Sequence, residues 1–310
     1  MKRVEMRMNQ ELGKKLLSIL KEEQVKKDEP MKSHTTFRVG GPADYFVTPQ
    51  TAEEVAKVIE ACTQEKVPYY IVGNGSNLLV SDKGYEGVII QIYKQMNQVK
   101  VEGAQIHAQA GALLSMIAKR ALDAELTGFE FAAGIPGTLG GACVMNAGAY
   151  GGTISDVLLY ARVITKENGI LELTPEELEL GYRTSNIEKN GYIVSSVVLK
   201  MKKGNPEEIK ALIADFTERR KSKQPLEYPS AGSTFKRPEG YFAGKLIGDA
   251  GLRGFRVGDA QVSEKHCGFV INRGNASAAE IMELMRQVED KVEENSGVRL
   301  EAEVRRIGEF

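Results

Sequence analysis

The chain has 310 residues, enough for two or three domains, and its 41 basic and 42 acidic residues nearly balance. It therefore lacks the broad positive field that binding to nucleic acid or to an anionic membrane surface requires. The three cysteines, Cys62, Cys143 and Cys267, form no CxxC pair, so we expect no disulfide framework and no metal site. No run approaches the roughly 20 apolar residues of a membrane span, and we expect a cytoplasmic protein.

The first part of the chain predicts a helix, a strand, a second helix and a second strand. Residues 9–24 carry leucines and isoleucine at helical spacing, and HTTFRVGGPADYFVTP is typical of a strand interrupted by glycine and proline. Thr51 and Glu54 have the spacing of a helix cap before AEEVAKVIEACTQEK. The β-rich run Tyr69–Val72 then enters the loop GNGSN.

The rest of the chain mixes short strands and helices. GVIIQI, QVKVEG and QIHAQA predict strands, and residues 111–124 predict a helix. Residues 134–152 contain seven glycines, too many for an ordinary helix or strand interior. Further strands are expected at VLLYARVIT, YIVSSVVLK, CGFVIN and GVRLEAEVRRIG, with helices over 206–221, within AGKLIGDAGLRGF and over 277–294. The polar run KMKKGNPEE favours a domain boundary near residues 200–206.

Two glycine-rich segments are candidates for holding a ligand. Backbone amides can surround a phosphate only where no side chain blocks the approach, and GNGSN has this form, although a plain turn is the commoner explanation. GIPGTLGGACVMNAGAYGG could lie flat against a large planar or pyrophosphate-bearing ligand, or could serve tight packing between sheets. Neither segment matches the Rossmann or P-loop pattern, which favours a nucleotide-bearing cofactor in a different fold.

Three polar residues stand among glycines or apolar neighbours. Arg183 in GYRTSN is by default a solvated turn residue, and Glu303 in LEAEVRRIG belongs to the polar face of an expected terminal strand. Ser233 in SAGSTFKRP has no GxSxG surroundings, and the chain has only three histidines, so nothing supports a serine-histidine-aspartate triad. A local turn hydrogen bond is the usual role of such a serine.

The order of seven segments is more specific than any one of them. Nearly end to end, the chain resembles the UDP-N-acetylenolpyruvoylglucosamine reductases of peptidoglycan precursor synthesis, in the subclass with a compact C-terminal domain. The segments that carry the resemblance are, in order, HTTFRVGGPAD, GNGSNLLVSD, GIPGTLGGACVMNAGAYGG, GYRTS, SAGSTFKRP, AGKLIGDAGLRG and LEAEVRRIG. The resemblance implies an α+β protein with a flavin-binding fold of the vanillyl-alcohol oxidase (PCMH) type. It also implies a helical segment over 1–32, an FAD-binding domain of two α+β subdomains over 33–203 and an α+β substrate domain over 204–310.

The same resemblance implies a ligand set. FAD would be the cofactor, NADPH the reductant and the enolpyruvyl ether of UDP-N-acetylglucosamine the substrate, which would take a hydride from flavin N5 on its methylene carbon. The FAD-binding residues implied are Gly73, Asn74, Gly75, Ser76, Asn77, Gly134, Gly137, Thr138, Gly140, Gly141, Asn146, Gly148 and Ala149.

The family's catalytic residues fall on three positions of this chain. Arg183 would stabilise the charge that develops on the substrate carboxylate, a protonated Glu303 would share that task, and Ser233 would donate a proton to the adjacent carbon. Four residues are implied for substrate binding: Tyr182, Lys223, Lys236 and Arg237. Lys223 is the first choice for contact with the diphosphate, and Lys221 is nearly as good.

Two other interpretations remain open at this point. A flavoprotein of the same fold that oxidises a small alcohol would keep both glycine segments but would not need GYRTS, AGSTF and EAEVR together. A protein that only binds a nucleotide sugar would tolerate the loss of Ser233.

Overall fold

The computed structural model describes residues 9–167 and 169–310, so the first eight residues of the expected helical segment lie outside it. The chain forms two compact units. The first comprises the described residues up to Lys27 together with Tyr45–Asn74 and Gly87–Arg220, and the second comprises Asp28–Asp44, Gly75–Glu86 and Lys221–Phe310. These units are discontinuous in sequence, and the functional division at residues 32 and 203 stays a prediction.

Eight α-helices occur in the described residues. In chain order they are α1 (Gln10–Ile19), α2 (Ala52–Gln64), α3 (Leu114–Asp123), α4 (Leu139–Val144), α5 (Ile187–Asn190), α6 (Pro206–Lys223), α7 (Ala243–Asp249) and α8 (Ala278–Ser296). None of these described helices is both long and apolar enough to cross a membrane.

The strands are short, and their bounds in chain order are as follows. They are β1 (Val25–Pro30), β2 (Pro42–Val47), β3 (Tyr69–Val72), β4 (Leu78–Val80), β5 (Tyr85–Gln91), β6 (Val99–Glu102), β7 (Gln105–Gln109), β8 (Leu126–Thr127), β9 (Gly148–Ala149), β10 (Gly152–Thr153), β11 (Leu158–Ile164), β12 (Ile170–Leu173), β13 (Ile193–Lys200), β14 (Lys202–Lys203), β15 (Ser230–Ser233), β16 (Arg256–Val257), β17 (Ala260–Val262), β18 (Phe269–Asn272) and β19 (Arg305–Ile307).

The first unit is built on two sheets. A five-stranded sheet has the order β12-β11-β13-β7-β6, and a four-stranded sheet, most of whose residues belong to this unit, has the order β1-β2-β5-β3. Strands β3 and β5 run parallel, whereas every pair in the five-stranded sheet is antiparallel. Buried apolar side chains from α1 to α4 and from both sheets form one core.

The second unit contains a four-stranded antiparallel sheet with the order β15-β18-β17-β16 and a parallel pair formed by β19 and β4. Helix α8 begins with a capping box, in which Ser277 Oγ accepts from the Glu280 amide and the Glu280 carboxylate accepts from the Ser277 amide, each at 3.0 Å. Its buried face joins α7 and the sheet in a separate core. The helix ends at Ser296 and is capped by Gly297, whose φ of +70° suits glycine.

Most of the predicted helices and strands are confirmed. The Thr51 hydroxyl caps α2 by accepting from the Glu54 amide at 3.1 Å, and β3 has the predicted bounds. Other predictions are wrong. The closing strand covers only Arg305–Ile307, Ser230–Ser233 forms a strand where a local turn was expected at Ser233, and a helix forms within the second glycine segment.

Candidate active site

The first two residues of GNGSN lie beside the second glycine segment in the first unit. Gly73 follows β3, and the side-chain amide of Asn74 donates to the carbonyl of Pro136 at 2.7 Å. A Cβ atom built on Gly73 would stand 2.2 Å from Thr138 Oγ1, so a side chain at position 73 would overlap Thr138. The structure therefore brings Gly73 and Asn74 together with the start of the second segment.

The second glycine segment contains a helix, contrary to the expectation from its glycine content. Helix α4 follows the buried Thr138 and includes Gly140 and Gly141. The Gly140 amide donates to the carbonyl of Ala110 at 2.8 Å, and a Cβ at Gly140 would lie 2.9 Å from the Ala110 Cβ. Glycine is needed there because the helix backbone packs directly against the residue that follows β7.

Gly137 and Gly134 also have close neighbours. The carbonyl of Gly137 accepts from the Leu114 amide at 3.1 Å, and the Arg220 side chain lies over Gly134. Farther along, Gly148 and Ala149 form β9, which pairs with β10 across a tight turn. Contacts within the first unit thus hold the segment at both of its ends.

Asn146 is a structural link rather than an open donor. The residue is buried, and its backbone has φ +42°. Its Nδ2 donates to the carbonyl of Gly181 at 3.1 Å and to Ser155 Oγ at 3.3 Å. Its Oδ1 accepts from the Ser155 amide at 3.0 Å. Since both ends of this side chain are bonded within the protein, Asn146 fastens the GYRTS loop to the glycine segment; its predicted contact with FAD stays a prediction.

The GYRTS loop places Arg183 next to the glycine segment. Arg183 has φ +55°, an unusual backbone conformation for a residue with a side chain. Its guanidinium donates from Nη2 to the carbonyl of Gly148 at 3.3 Å and lies 5.8 Å from the ring centre of Tyr182, a side chain that is mostly exposed. Ser185 secures the end of the loop by donating to the carbonyl of Val144 at 2.6 Å.

The other three residues of GNGSN belong to the second unit. Gly75 has φ +62°, and a Cβ there would meet the carbonyl oxygen of His34 at 2.1 Å, so the backbone of the HTTF segment packs against it. Ser76 is half-buried. Asn77 donates from Nδ2 to the carbonyl of Glu303 at 3.1 Å, which ties this loop to the C-terminal segment.

Ser233 is exposed at the end of β15, between the positive-φ Gly232 and the fully buried Thr234. Thr234 was not singled out from the sequence, where it is one more small residue in SAGSTF. Its carbonyl accepts from the Glu303 amide at 2.8 Å, and Phe235 forms an isolated antiparallel bridge with Ala302. The structure therefore brings the chain around Ser233 and the chain around Glu303 together.

Glu303 precedes β19 rather than lying on it, which corrects the expected strand face. Its backbone is bonded on both sides, by the Thr234 carbonyl and by the Asn77 amide group, and its side chain is half-buried. The strand is short because only Arg305–Ile307 pair with β4. A fixed, partly buried carboxyl group at this position is compatible with a role in binding or catalysis.

The predicted diphosphate cations differ in how far they are engaged. Lys236 forms an ion pair with Glu301, and the guanidinium of Arg237 stacks on Phe242 at 4.0 Å from the ring centre. Lys221 and Lys223 are exposed at the end of α6, and neither forms an ion pair with any residue that the structure describes. In those same residues no group of histidine, cysteine, aspartate or glutamate is arranged to hold a metal ion.

The buried cysteine of the glycine segment is chemically inert. Burial raises the pKa of the Cys143 thiol to about 12, so it stays protonated at neutral pH. Cys62, Cys143 and Cys267 are all free and buried, in keeping with the absence of any assigned catalytic role.

His266, near β18, gives the second unit a predictable pH response. Burial, assisted by Arg253, lowers the pKa of its imidazole below the usual 6.5, and Nδ1 accepts from the Gly268 amide at 3.1 Å, which only an unprotonated Nδ1 can do. The unfolded chain therefore binds more protons than the folded one as the pH falls below 6.5, so the free energy of unfolding decreases there.

We expect the midpoint of thermal unfolding to drop between about pH 7.5 and about pH 5.5 by more in the wild type than in a His266→Asn variant, whose side-chain carbonyl can accept the same amide. Differential scanning calorimetry at the two pH values measures this. Equal decreases in both proteins would contradict the role of His266.

The first unit fits FAD because its glycines let stretches of backbone come together where a side chain would not fit. A Cβ atom at Gly73, Gly140 or Gly148 would stand 2.9 Å or less from Thr138, Ala110 or Gly152, respectively. Glycine-rich backbone of this kind suits a pyrophosphate, which is bound by backbone amides. When bound, FAD would lie against these glycine segments.

Comparisons with known proteins agree with this geometry. Residues 43–174 match a family model described as an FAD binding domain, and residues 224–307 match one described as the C-terminal domain of UDP-N-acetylenolpyruvoylglucosamine reductase. The fold is also similar to a solved alkyldihydroxyacetonephosphate synthase, with TM-score 0.51 at 18% identity over 96% of this chain and 62% of that one. Fold and site together define an FAD-dependent oxidoreductase with the flavin-binding fold of the vanillyl-alcohol oxidase type, as expected.

Two relatives identify the family more closely. A UDP-N-acetylenolpyruvoylglucosamine reductase of Clostridioides difficile is 52% identical over 301 residues, covering 97% of this chain and 99% of the relative. The crystal structure of UDP-N-acetylenolpyruvylglucosamine reductase from Thermus caldophilus has TM-score 0.79 and 38% identity over 90% of this chain and 97% of that one. The chain belongs to the UDP-N-acetylenolpyruvoylglucosamine reductase family.

Proposed function

We propose that this protein reduces the enolpyruvyl ether of UDP-N-acetylglucosamine to UDP-N-acetylmuramate, with NADPH as the source of electrons. The observation that carries the proposal is the 52% identity with a curated reductase over nearly the whole of both chains. We further propose that the reaction takes place in the cytoplasm, a compartment in which the three free, buried cysteines would remain reduced.

When bound, FAD would supply the redox chemistry, which is the transfer of a hydride from NADPH, by way of flavin N5, to the methylene carbon of the substrate. The protein must then deal with negative charge on the substrate carboxylate and with a proton for the neighbouring carbon. These two requirements assign the roles of the protein side chains.

Arg183 is proposed to bind the substrate carboxylate and to stabilise the charge that develops on it. A planar guanidinium matches a carboxylate with two parallel hydrogen bonds. Its φ of +55° and its bond to the Gly148 carbonyl support this role, because backbone strain persists where the surrounding structure holds a residue in place.

Ser233 is proposed to donate the proton to the carbon next to the carboxylate. A serine hydroxyl is a weak acid, but it is compact, and the residue before it is a glycine with nothing within 4 Å of the position of a Cβ atom. Ser233 is itself exposed at the end of its strand. A substrate can therefore approach the hydroxyl closely.

Glu303 is proposed to act as a hydrogen-bond donor in its protonated form. Its half-burial and its doubly bonded backbone support a fixed carboxyl group, and a neutral carboxyl could donate to the enolpyruvate oxygen as charge develops. We expect Glu303→Gln to retain about tenfold more activity than Glu303→Ala, because the glutamine amide can still donate. Steady-state kinetics of the two variants test this, and equal losses would contradict the donor role.

Lys223 is proposed to bind the substrate diphosphate, since it is exposed at the end of α6 and, like Lys221, has no ion pair among the described residues of the chain. We expect Lys223→Ala to raise KM for the UDP-sugar by about tenfold with little change in kcat, which is the signature of lost ground-state binding. Lys236→Ala is the matched control, because Lys236 is already paired with Glu301. A larger rise of KM in the Lys236 variant would reverse this assignment.

The experiment that tests the proposed function follows the flavin by absorbance under anaerobic conditions. The purified protein should be yellow, should be bleached by NADPH and should regain its colour when the enolpyruvyl UDP-sugar is added. Recovery of colour with a small carbonyl compound, but not with the UDP-sugar, would indicate a different flavoprotein of the same fold. A colourless protein that cannot be loaded with FAD would contradict the proposal altogether.

A further inference from the structure

Strand β15 is irregular immediately before Ser233. Ser230 pairs with Ile271 and Ser233 pairs with Phe269, so β15 has one residue more than β18 between the two pairs. Gly232, within this bulge, has φ +77°. β-bulges bend a strand and redirect its side chains, and they interrupt the ladder of backbone hydrogen bonds.

The side chain of Thr234 repairs the interrupted ladder. The amide of Val270 donates to Thr234 Oγ1 at 2.9 Å, where a regular antiparallel strand would offer a backbone carbonyl. The Thr234 amide donates in turn to the carbonyl of Gly268 at 2.9 Å. Thr234 is 0% exposed, so water cannot replace either bond.

The same residue is bonded to the segment that carries Glu303. The Thr234 carbonyl accepts from the Glu303 amide at 2.8 Å, next to the bridge between Phe235 and Ala302. One buried threonine thus joins β18, the bulge that presents Ser233 and the backbone of Glu303. Its three polar groups are all used in these bonds.

We propose that Thr234 is a positioning residue that fixes the Ser233 hydroxyl relative to the Glu303 segment by anchoring the β15 bulge to β18. This inference rests on the proposed role of Ser233 as proton donor. Thr234 takes no part in the chemistry, because its hydroxyl is buried and engaged with Val270. Its effect is therefore confined to the half-reaction in which Ser233 acts.

The test compares both half-reactions of FAD-loaded variants by anaerobic stopped-flow absorbance. Thr234→Val keeps the shape but removes Oγ1, and we expect it to slow reoxidation by the enolpyruvyl UDP-sugar at least about tenfold, with reduction by NADPH within about twofold of wild type. Thr234→Ser restores the oxygen and is expected to reoxidise within about threefold of wild type. Should Thr234→Val fail to load FAD, Thr234→Ala and Thr234→Ser form a second pair that differs by one oxygen atom.

Two further variants separate positioning from general destabilisation. Ser277→Ala also removes a side-chain oxygen that accepts a hydrogen bond from a backbone amide, here that of Glu280 at 3.0 Å. Because this bond caps the start of α8 and not the β15 bulge, both half-reactions should stay unchanged. The double variant Ser233→Ala with Thr234→Val should reoxidise no more slowly than Ser233→Ala alone, because Thr234 acts through Ser233.

Several outcomes would overturn the proposal. Positioning of the serine is excluded if Thr234→Val reoxidises at the wild-type rate or slows both half-reactions equally. It is also excluded if the loss in Thr234→Val adds fully to the loss in Ser233→Ala. Failure of the proposed function gives a different result, since Ser233→Ala would then reoxidise at the wild-type rate. If Ser233→Ala is slow and Thr234→Val is normal, only the positioning role is lost.

Discussion

Replacing Ser233 by alanine is expected to slow the reoxidation of reduced FAD by substrate about 10²- to 10⁴-fold, the range typical of a lost general acid. Reduction by NADPH should be unaffected, because no proton from Ser233 is needed to take up the hydride. Anaerobic stopped-flow absorbance of the flavin, first with NADPH and then with the enolpyruvyl UDP-sugar, separates the two steps. The size of the difference between them measures the contribution of the proton donor.

Ser230→Ala provides the matched control for this prediction. Ser230 begins the same strand, and it contributes its backbone carbonyl, which accepts from the Thr36 hydroxyl at 2.6 Å. Its substitution therefore removes a hydroxyl from β15 while leaving that bond intact. Unchanged reoxidation in Ser233→Ala, or an equal slowing in both variants, would contradict the role of Ser233 as proton donor.

Helices and strands with strong local signals were predictable from sequence. Thr51 before an apolar period of 3.6 residues predicts α2 because the cap and the buried face agree, and Ser277 and Glu280 define the start of α8 in the same way. The bounds of β19 were not predictable, because its length is decided by pairing with β4, more than 200 residues earlier in the chain.

The glycine segment shows why glycine content alone misled. Gly140 and Gly141 are poor helix formers, yet both lie in α4. Glycine is needed at position 140 because the helix backbone packs too close to Ala110 for any side chain. Packing against a distant strand outweighs local propensity there, and no short-range pattern reports it.

The site could be predicted only in part. The roles of Arg183, Ser233 and Glu303 were predicted only from the resemblance of their motifs to the family. Locally, none of these residues can be distinguished from a residue of a turn or of a solvated strand. The supporting residues left no local signal at all. Thr234 resembles any small residue of its segment, and Thr36 becomes significant only because it bonds to Ser230 and Gly75.

Arg183→Lys is expected to lower the rate of substrate reduction about 10²- to 10³-fold, the cost typical of losing a group that stabilises developing negative charge. Lysine keeps the positive charge and, like arginine, has a Cβ that makes φ +55° unfavourable, so the backbone strain is the same in both proteins. What lysine lacks is the planar fork that can bind the substrate carboxylate while also donating to the Gly148 carbonyl. The loss should therefore appear in the reoxidation step and leave reduction by NADPH intact.

Arg162→Lys is the control, because Arg162 lies on β11 and forms an exposed ion pair with Glu172, a kind of interaction in which lysine replaces arginine at little cost. Its turnover should equal that of the wild type. Near-normal turnover of Arg183→Lys would mean that a point charge suffices at this position, or that Arg183 is simply solvated. A large loss in Arg183→Lys, with Arg162→Lys unchanged, is the result that a bidentate contact with the carboxylate requires.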